Sequence, residues 1–291
     1  MRPIRASLSA LLLFCAAIHT ARSDWILAAS AALNHDSNAG NAENSASVVA
    51  DSRAEANVSL LQQMPFGEGF SLAAGGDLSG EFYDHLSGLN NATVDAILSL
   101  KKKWGLGAFA PWSRVGISAG RVDYDDRYRD ATLYSASLEA GKRLDDRWNL
   151  WAKYAFERRR AAPAESDIYG ASSDVFSQRG QSLKLGGQYS LSERLSLSFG
   201  SLWRYGDVIS TNQPGADIFG NSKAVALDPT FGPDAYAYRL IGRTFGARLG
   251  LDYSLTAHSL VGFGFQRLDT HARGGNNYGD SMPELTWIHQ F

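Results

Sequence analysis

Charged side chains recur at alternate positions along this 291-residue chain, where they could line a path for a polar solute. In residues 92–104, for example, Asp95 and Lys101 alternate with aliphatic residues. Ion-selective pores carry charges of one sign, whereas this set holds seven acids and six bases. We therefore predict a narrow path of mixed charge, or cross-strand salt bridges that fill the space. The predicted lining residues are Glu55, Asp77, Glu81, Asp95, Lys101, Glu139, Arg143, Lys153, Glu157, Lys184, Arg204, Arg248 and Asp252.

Nucleophilic catalysis would need a serine beside a histidine that a third polar group orients. After residue 23 the histidines are His35, His85, His258, His271 and His289, and none faces a serine in a recognisable frame. The chain also carries no metalloprotease motif, phosphate loop or nucleophile elbow. We therefore predict no catalytic residues and no cofactor. A lipid-modifying enzyme stays open as an alternative, and His271 would be its test position.

The stretch VDYDDRYRD, residues 122–130, is the densest cluster of charge. Its aspartates offer the oxygen ligands that Ca²⁺ prefers. Arg121, Arg127 and Arg129 interleave with them, however, and the spacing does not match an EF-hand. We therefore predict a salt-bridged loop that faces lipopolysaccharide, and no metal site.

The elements that would position these side chains are β-strands. In residues 69–82, Phe70, Leu72 and Leu78 fall on one face, and Asp77 and Glu81 fall on the other. A period of two predicts a strand with one apolar and one polar face. The alternation is poorest in the first, fifth and eleventh of these segments, where a shift of one residue would exchange the faces. We count twelve segments, at roughly 24–33, 53–63, 69–83, 92–104, 113–124, 132–144, 148–161, 180–191, 195–208, 236–255, 259–273 and 282–291.

The connections between these segments alternate in length. Short polar turns such as DDR and SER follow the even segments, and most odd segments are followed by long polar loops. In lipid every backbone polar group must be paired within the protein, which a closed sheet achieves without edges. An even strand count with short turns on one side is typical of a twelve-stranded antiparallel transmembrane β-barrel. A secreted soluble β-sandwich or β-solenoid would also alternate, but strands of ten or more residues suit a tilted bilayer crossing.

Residues 1–23 have the form of a cleaved signal peptide. Arg2 and Arg5 precede a short apolar run, and Ala21-Arg22-Ser23 gives a small-x-small cleavage site. Cys15, the only cysteine, raises lipoprotein processing as an alternative, but Phe14 before it is larger than that processing favours. Removing three arginines from 28 basic residues leaves 25 against 30 acidic residues, a net charge of −5 that argues against a nucleic-acid partner. Residues 24–291 are predicted to form one barrel domain.

Aromatic residues gather near the predicted strand ends. Trp25, Trp104, Trp112 and Trp148 lie beside the short turns or the first strand, which suggests an interfacial girdle. The last segment reads LTWIHQF, with Leu285, Trp287 and Phe291 on one face and His289 at the remaining position of that face.

In these features the chain resembles bacterial outer-membrane β-barrel proteins, at the level of pattern over residues 24–291. The resemblance implies a Gram-negative outer membrane, with lipid bilayer and lipopolysaccharide as surroundings and both chain ends in the periplasm. It also implies that Leu285, Trp287 and Phe291 form an assembly signal for the barrel assembly machinery, after transit with periplasmic chaperones. His289 departs from the usual apolar residue at its position.

The stretch 209–235 is too long for an idle connection and carries apolar residues of its own. We predict that it constricts or caps the barrel. The predicted function is a porin-like channel for passive passage of small polar solutes. A closed structural or interaction barrel, acting through its loops in adhesion or in an envelope export assembly, is the main alternative.

Overall fold

A computed structural model describes residues 24–164 and 172–291, and the predicted signal peptide lies outside these residues. Each predicted segment forms a strand, and one further short strand lies inside the predicted loop 209–235. The strands are β1 Asp24–Asp36, β2 Asp51–Phe66, β3 Phe70–Tyr83, β4 Asn91–Lys103, β5 Trp112–Tyr124, β6 Ala131–Arg143, β7 Trp148–Ala161, β8 Gln178–Ser190, β9 Leu195–Asn212, β10 Ala224–Leu227, β11 Tyr236–Ser254, β12 Ser259–Ala272 and β13 Asn277–Gln290.

Twelve of these strands close into one antiparallel barrel. Each strand pairs with the next along the chain, except that β9 pairs with β11 and the four-residue β10 adds to β11 beyond the end of β12. Closure requires that the first strand pair with the last, and Leu33 indeed lies opposite Leu285 and Ala29 opposite His289. The prediction of a closed twelve-stranded barrel is confirmed. Among the described residues, no helix has the length and apolarity that a membrane-spanning helix requires.

The two faces of the wall differ as period-two alternation requires. In β4, Val94, Leu98 and Leu100 are exposed on the outer face, whereas Asp95 and Lys101 on the inner face are partly covered. Large apolar side chains such as Ile117 in β5, Leu138 in β6, Phe156 in β7 and Phe263 in β12 continue this exposed outer band. An apolar exterior with a polar interior is the arrangement that a bilayer favours.

The two ends of the barrel are built differently. At one end, which we call the turn end, tight turns join the strands. Gly69, in the turn between β2 and β3, is an example. Its φ is +72°, and a Cβ there would lie 2.6 Å from the carbonyl oxygen of Lys103, so only glycine fits without strain. At the loop end, β9 and β11 run for 18 and 19 residues and rise beyond their neighbours.

The stretch 209–235 is more regular than the sequence predicts. β9 continues to Asn212, a helix α1 spans Ala216–Asn221, and β10 follows. The extension of β9 begins after Gly206, which has a φ of +154°. Only glycine fits there without strain, because a Cβ would lie 2.4 Å from the carbonyl oxygen of Arg179. Beyond this point β9 continues past its pairing with β8, and polar residues such as Ser210 and Thr211 occupy the strand.

Two apolar clusters at the loop end stabilise this extension on opposite faces. On one face Ala237 of β11 and Ala226 of β10 pack with Val175 and Phe176, which lie between β7 and β8. On the other face, Tyr238 and Leu240 of β11 pack with Val208 of β9, Ala272 of β12 and Ile218 of α1. The extension is therefore packed on both faces, so it forms an ordered element above the barrel.

Candidate solute path and its lid

The structure places the predicted lining residues on the inner face of the barrel, where they alternate with the exposed outer residues. The order and register of the strands then show which charged side chains lie on the same side of the lumen, which the sequence alone could not show. Carboxylates dominate the wall formed by β1–β4, and cations dominate the wall formed by β7–β11. The carboxylates are Asp36, Glu55, Asp77, Glu81 and Asp95, and the cations are Lys153, Arg159, Lys184, Arg204 and Arg248.

Each wall also carries charges of the opposite sign, and some of them are paired. Arg53 lies 2.6 Å from Glu55 and 3.5 Å from Asp36. Asp252 and Glu157 are the carboxylates on the cationic wall. Arg53 was not predicted to line the lumen, although it lies two residues before Glu55 and so shares its face. Between the two walls, Arg114 of β5 lies 3.5 Å from Glu139 of β6.

Trp112 lies on the inner face, which differs from the interfacial position predicted for it. The Nζ atom of Lys101 lies 4.9 Å from its ring centroid, and the Arg114 guanidinium carbon lies 5.4 Å away. The fifth segment alternates poorly and its predicted start, 113, lies after Trp112, so no strand face was predicted for this residue. The other three predicted interfacial tryptophans, Trp25, Trp104 and Trp148, are exposed at the turn end.

The last strand forms an aromatic row on the outer face. His289 stacks on Trp287 at 5.9 Å and meets Phe291 edge-on at 4.5 Å, so the histidine packs like the apolar residue it replaces. The backbone N–H of Phe291 donates to the carbonyl of Leu27 at 2.9 Å, which joins the chain end to β1.

A recess opens in the inner wall between β4 and β9, with a volume of about 310 Å³. Its lining includes Asp95, Ser118, Ser135, Glu157, Gly180 and Arg204, and we call this cavity the recess. The hydroxyls of Ser118 and Ser135 lie 2.8 Å apart. Glycines make room for its end groups: a Cβ on Gly120 would lie 1.8 Å from Asp95 Oδ1, and one on Gly180 would lie 3.1 Å from Arg204 Nη2.

Residues 213–235, which we call the lid, lie across the loop end. Asp228 is the buried centre of its contacts, with a side chain that is 0% exposed. Its Oδ2 atom accepts hydrogen bonds from Arg129 at 2.6 Å and from Thr211 at 2.8 Å. The Arg129 side chain is 11% exposed, and its guanidinium carbon lies 4.3 Å from the Phe176 ring centroid. A carboxylate this deeply buried requires such partners.

The lid contacts loops that belong to distant hairpins. Thr230 donates to Asp126 in the loop after β5 at 2.9 Å and lies against Gly88 in the loop after β3. The ring of Phe231 lies against Gly40 in the loop after β1. Since these loops come from the far side of the ring of strands, the lid covers the mouth.

The acidic loop after β5 is interleaved with arginines, as predicted. Arg121 lies 2.7 Å from Asp123, and Arg129 lies 3.3 Å from Asp126. The Arg129–Asp126 pair lies within the loop, and Arg129 also joins it to Asp228 of the lid. Arg121 and Asp123, in contrast, lie two residues apart in β5. Its contact with lipopolysaccharide stays a prediction.

Two histidines lie beside serines, which the sequence analysis did not anticipate. His289 Nδ1 is 2.7 Å from Ser259 Oγ, and His35 Nδ1 is 3.0 Å from Ser52 Oγ. Neither pair has a carboxylate or amide that orients the histidine within residues 24–164 and 172–291, and such a third group is part of nucleophilic activation. His271 instead contacts Asn277, at 3.1 Å.

Asp51, Asp84 and His85 are the one group in the described chain whose potential metal-ligand atoms lie within 4.8 Å of one another. The Asp51 carboxylate already accepts hydrogen bonds from the backbone N–H groups of His85 and Leu86, at 3.1 and 2.8 Å. We therefore interpret the group as an anchor for the loop after β3.

The hydrogen bond to Asp51, followed by the charges of Asp84 and Asp51, raises the pKa of His85 above its usual value. Protonation therefore favours the anchored loop: the contribution is complete below about pH 6.5 and is lost as the pH rises through the raised pKa. An NMR titration of the detergent-refolded protein should show this elevation, and Asp84→Asn should lower it. An unchanged His85 pKa in that variant would contradict the assignment.

Comparison with known proteins supports the architecture. No family model matches the chain, and no curated protein matches its sequence. The structure superposes on an outer membrane channel from Pseudomonas putida F1 with a TM-score of 0.58 and 13% identity, covering 91% of this chain and 95% of that one. The fold is that of an outer-membrane β-barrel. The NanC porin is also similar, with a TM-score of 0.50 and 9% identity, covering 90% of this chain and 100% of that chain.

Proposed function

We propose that this chain is an outer-membrane channel for the passive passage of small polar solutes, and that the lid gates it. The observation that carries the proposal is the inner face of a closed barrel, lined by a polar recess and by charges such as Asp95 and Arg204 that have no ion partner among the residues that the structure describes. A purely structural barrel gains nothing from unpaired inner charges, because each costs desolvation free energy. The matched channels named above agree with this proposal at the level of fold.

The gating role rests on how the lid is held. Its apolar residues, such as Ile218 and Ala226, pack beside β9 and β11. Its contacts with the loops after β1, β3 and β5 are instead polar bonds through Asp228 and Thr230 and a ring contact through Phe231. Such contacts exchange for water at modest cost when a loop opens, unlike a packed apolar core. The part of the lid that reaches the far loops, residues 228–231, can therefore separate from them while the barrel and the apolar clusters stay intact.

We place the turn end and both chain ends in the periplasm and the loop end at the lipopolysaccharide surface. In this proposal residues 1–23 direct export and are removed, periplasmic chaperones carry the chain, and the barrel assembly machinery inserts it. The exposed aromatic residues Trp25, Trp104 and Trp148 at the turn end suit a bilayer interface.

The direct test is single-channel recording from refolded residues 24–291 in a planar bilayer. Discrete openings that persist in buffered salt would support the channel. A second candidate, a closed barrel that acts through its loops, is favoured by the covered mouth alone. A folded barrel without openings, in the wild type and in a variant lacking lid residues 216–227, would favour that candidate and contradict ours.

The assembly signal gives a separate prediction. We expect Phe291→Ala to lower the fraction of barrel inserted in cells several-fold, because the terminal ring and its aromatic neighbours would no longer be recognised. Refolding in detergent should change little, since Phe291 is exposed. Heat-modifiable migration in gels measures both. Phe265→Ala, an exposed outer-face change in β12, is the matched control. Equal insertion of both variants would contradict the signal.

A further inference from the structure

The recess has the properties of a solute subsite within the channel. Between its two ends the inner residues Ser118 in β5, Ser135 in β6 and Gly180 in β8 are small, and Glu157 of β7 is the one large inner residue among them. Small side chains hollow the wall there. The resulting volume lies at the lower end of the roughly 300–1,000 Å³ typical of small-molecule sites.

The charged groups at the two ends of the recess have opposite signs and lack ion partners. In the described chain, neither Asp95 on β4 nor Arg204 on β9 lies within 4 Å of an opposite charge. Arg53 and Glu55, which lie nearer the loop end of the same lumen, do form an ion pair. A charge that faces a cavity without a partner is available to a ligand.

Asp77 strengthens the anionic end. It lies directly opposite Asp95 on the neighbouring strand, with no cation between them. Like charges that face each other across strands are destabilising. The Oδ1 atom of Asp77 is buried and accepts no hydrogen bond from the residues that the structure describes. An ammonium group near this pair would offset both costs.

Arg204 defines the cationic end. Its guanidinium lies over Gly180 and borders the recess beside Arg159, on the wall where cations dominate. A guanidinium presents a planar set of donors that matches a carboxylate. The hydroxyls of Ser118 and Ser135 supply neutral hydrogen-bonding groups between the two ends.

We propose that the recess binds small zwitterions, meaning solutes of amino-acid to dipeptide size that carry an ammonium and a carboxylate. The ammonium faces Asp95 and Asp77, and the carboxylate faces Arg204. The inference rests on the proposed channel function and names its substrate class. A solute with one charge meets a repelling group at one end, whereas a zwitterion is favoured at both. Binding stays weak, because a conducting site must also release its solute.

The test uses open-channel current in a planar bilayer with 6-aminohexanoate as the zwitterion. Hexanoate, hexylammonium and glucose serve as the anionic, cationic and neutral probes. We expect 6-aminohexanoate to reduce the current at millimolar concentration, with half-block at least tenfold below that of each other probe. Asp95→Asn and Arg204→Gln should each raise the half-blocking concentration at least tenfold.

The controls are Asp252→Asn and Arg248→Gln, which remove inner charges of the same types outside the recess lining. They should leave the block within twofold of wild type. Openings that glucose or the singly charged probes block as well as the zwitterion, or a block that Asp95→Asn and Arg204→Gln leave unchanged, would overturn this inference while the channel stands. A folded barrel without openings, both in the wild type and in the variant lacking residues 216–227, would overturn the proposed function itself.

Discussion

A disulfide between positions 88 and 230 should hold the lid closed and lower the open probability at least tenfold until a reductant is added. Gly88 and Thr230 lie on opposite sides of the contact between the lid and the loop after β3. A Cβ at Gly88 would lie 3.1 Å from the Thr230 Cβ, and disulfides join Cβ atoms about 3.5–4.5 Å apart. A small shift of the lid therefore allows Gly88→Cys and Thr230→Cys to bond.

The chain suits this experiment, because Cys15 is its only cysteine and residues 24–291 contain none. Each single cysteine variant, recorded under oxidising and reducing conditions, controls for the loss of the Thr230 hydrogen bond to Asp126. Recovery of current on addition of dithiothreitol identifies the cross-link as the cause. If the oxidised pair conducts like the reduced pair, lid movement does not limit the current.

The barrel itself was predictable because lipid and closure impose simple rules on sequence. Alternation over ten or more residues, short turns at one end and an even strand count all follow from pairing every backbone group inside a bilayer. Where lipid no longer constrains the chain, prediction failed: β9 continues to Asn212, and β13 begins at Asn277 rather than at 282. There, polar strand residues pair with neighbouring loops and give no periodic signal.

Which residues face the lumen was predictable, but which of them lie beside one another was not. Asp95 and Lys184 could be placed on the inner face by parity alone. Their segregation onto different walls depends on which strands are neighbours and in what register, which local alternation does not encode. Trp112 and Arg114 lie on the inner face of β5, and this was not predictable because the fifth segment alternates poorly. The recess likewise depends on small residues of β5, β6 and β8, whose alignment is set by a strand register that local alternation does not encode.

Breaking the Asp228–Arg129 ion pair should give the second large effect. It should favour the open lid, whereas the disulfide favours the closed one. Removing one member of a buried ion pair costs about 3–5 kcal/mol when the other is left uncompensated. Arg129 keeps Asp126 at 3.3 Å in Asp228→Ala, so we expect a cost near the lower end of that range. In an open lid both groups would be hydrated, so this cost falls on the closed state alone. We therefore expect Asp228→Ala to shift the equilibrium between closed and open lid by roughly 10²–10³ toward open, since about 1.4 kcal/mol is tenfold.

Single-channel open probability measures this shift, and Arg129→Ala should act in the same direction. The double variant Asp228→Leu/Arg129→Met should fall between wild type and Asp228→Ala, because it removes both charges of the pair, and Asp126 keeps its hydrogen bond from Thr230. Asp234→Ala, which changes an exposed carboxylate of the same lid, is the matched control. If Asp228→Ala and Asp234→Ala gate alike, the buried pair does not hold the lid, and the ring contact of Phe231 with Gly40 would become the next interaction to remove.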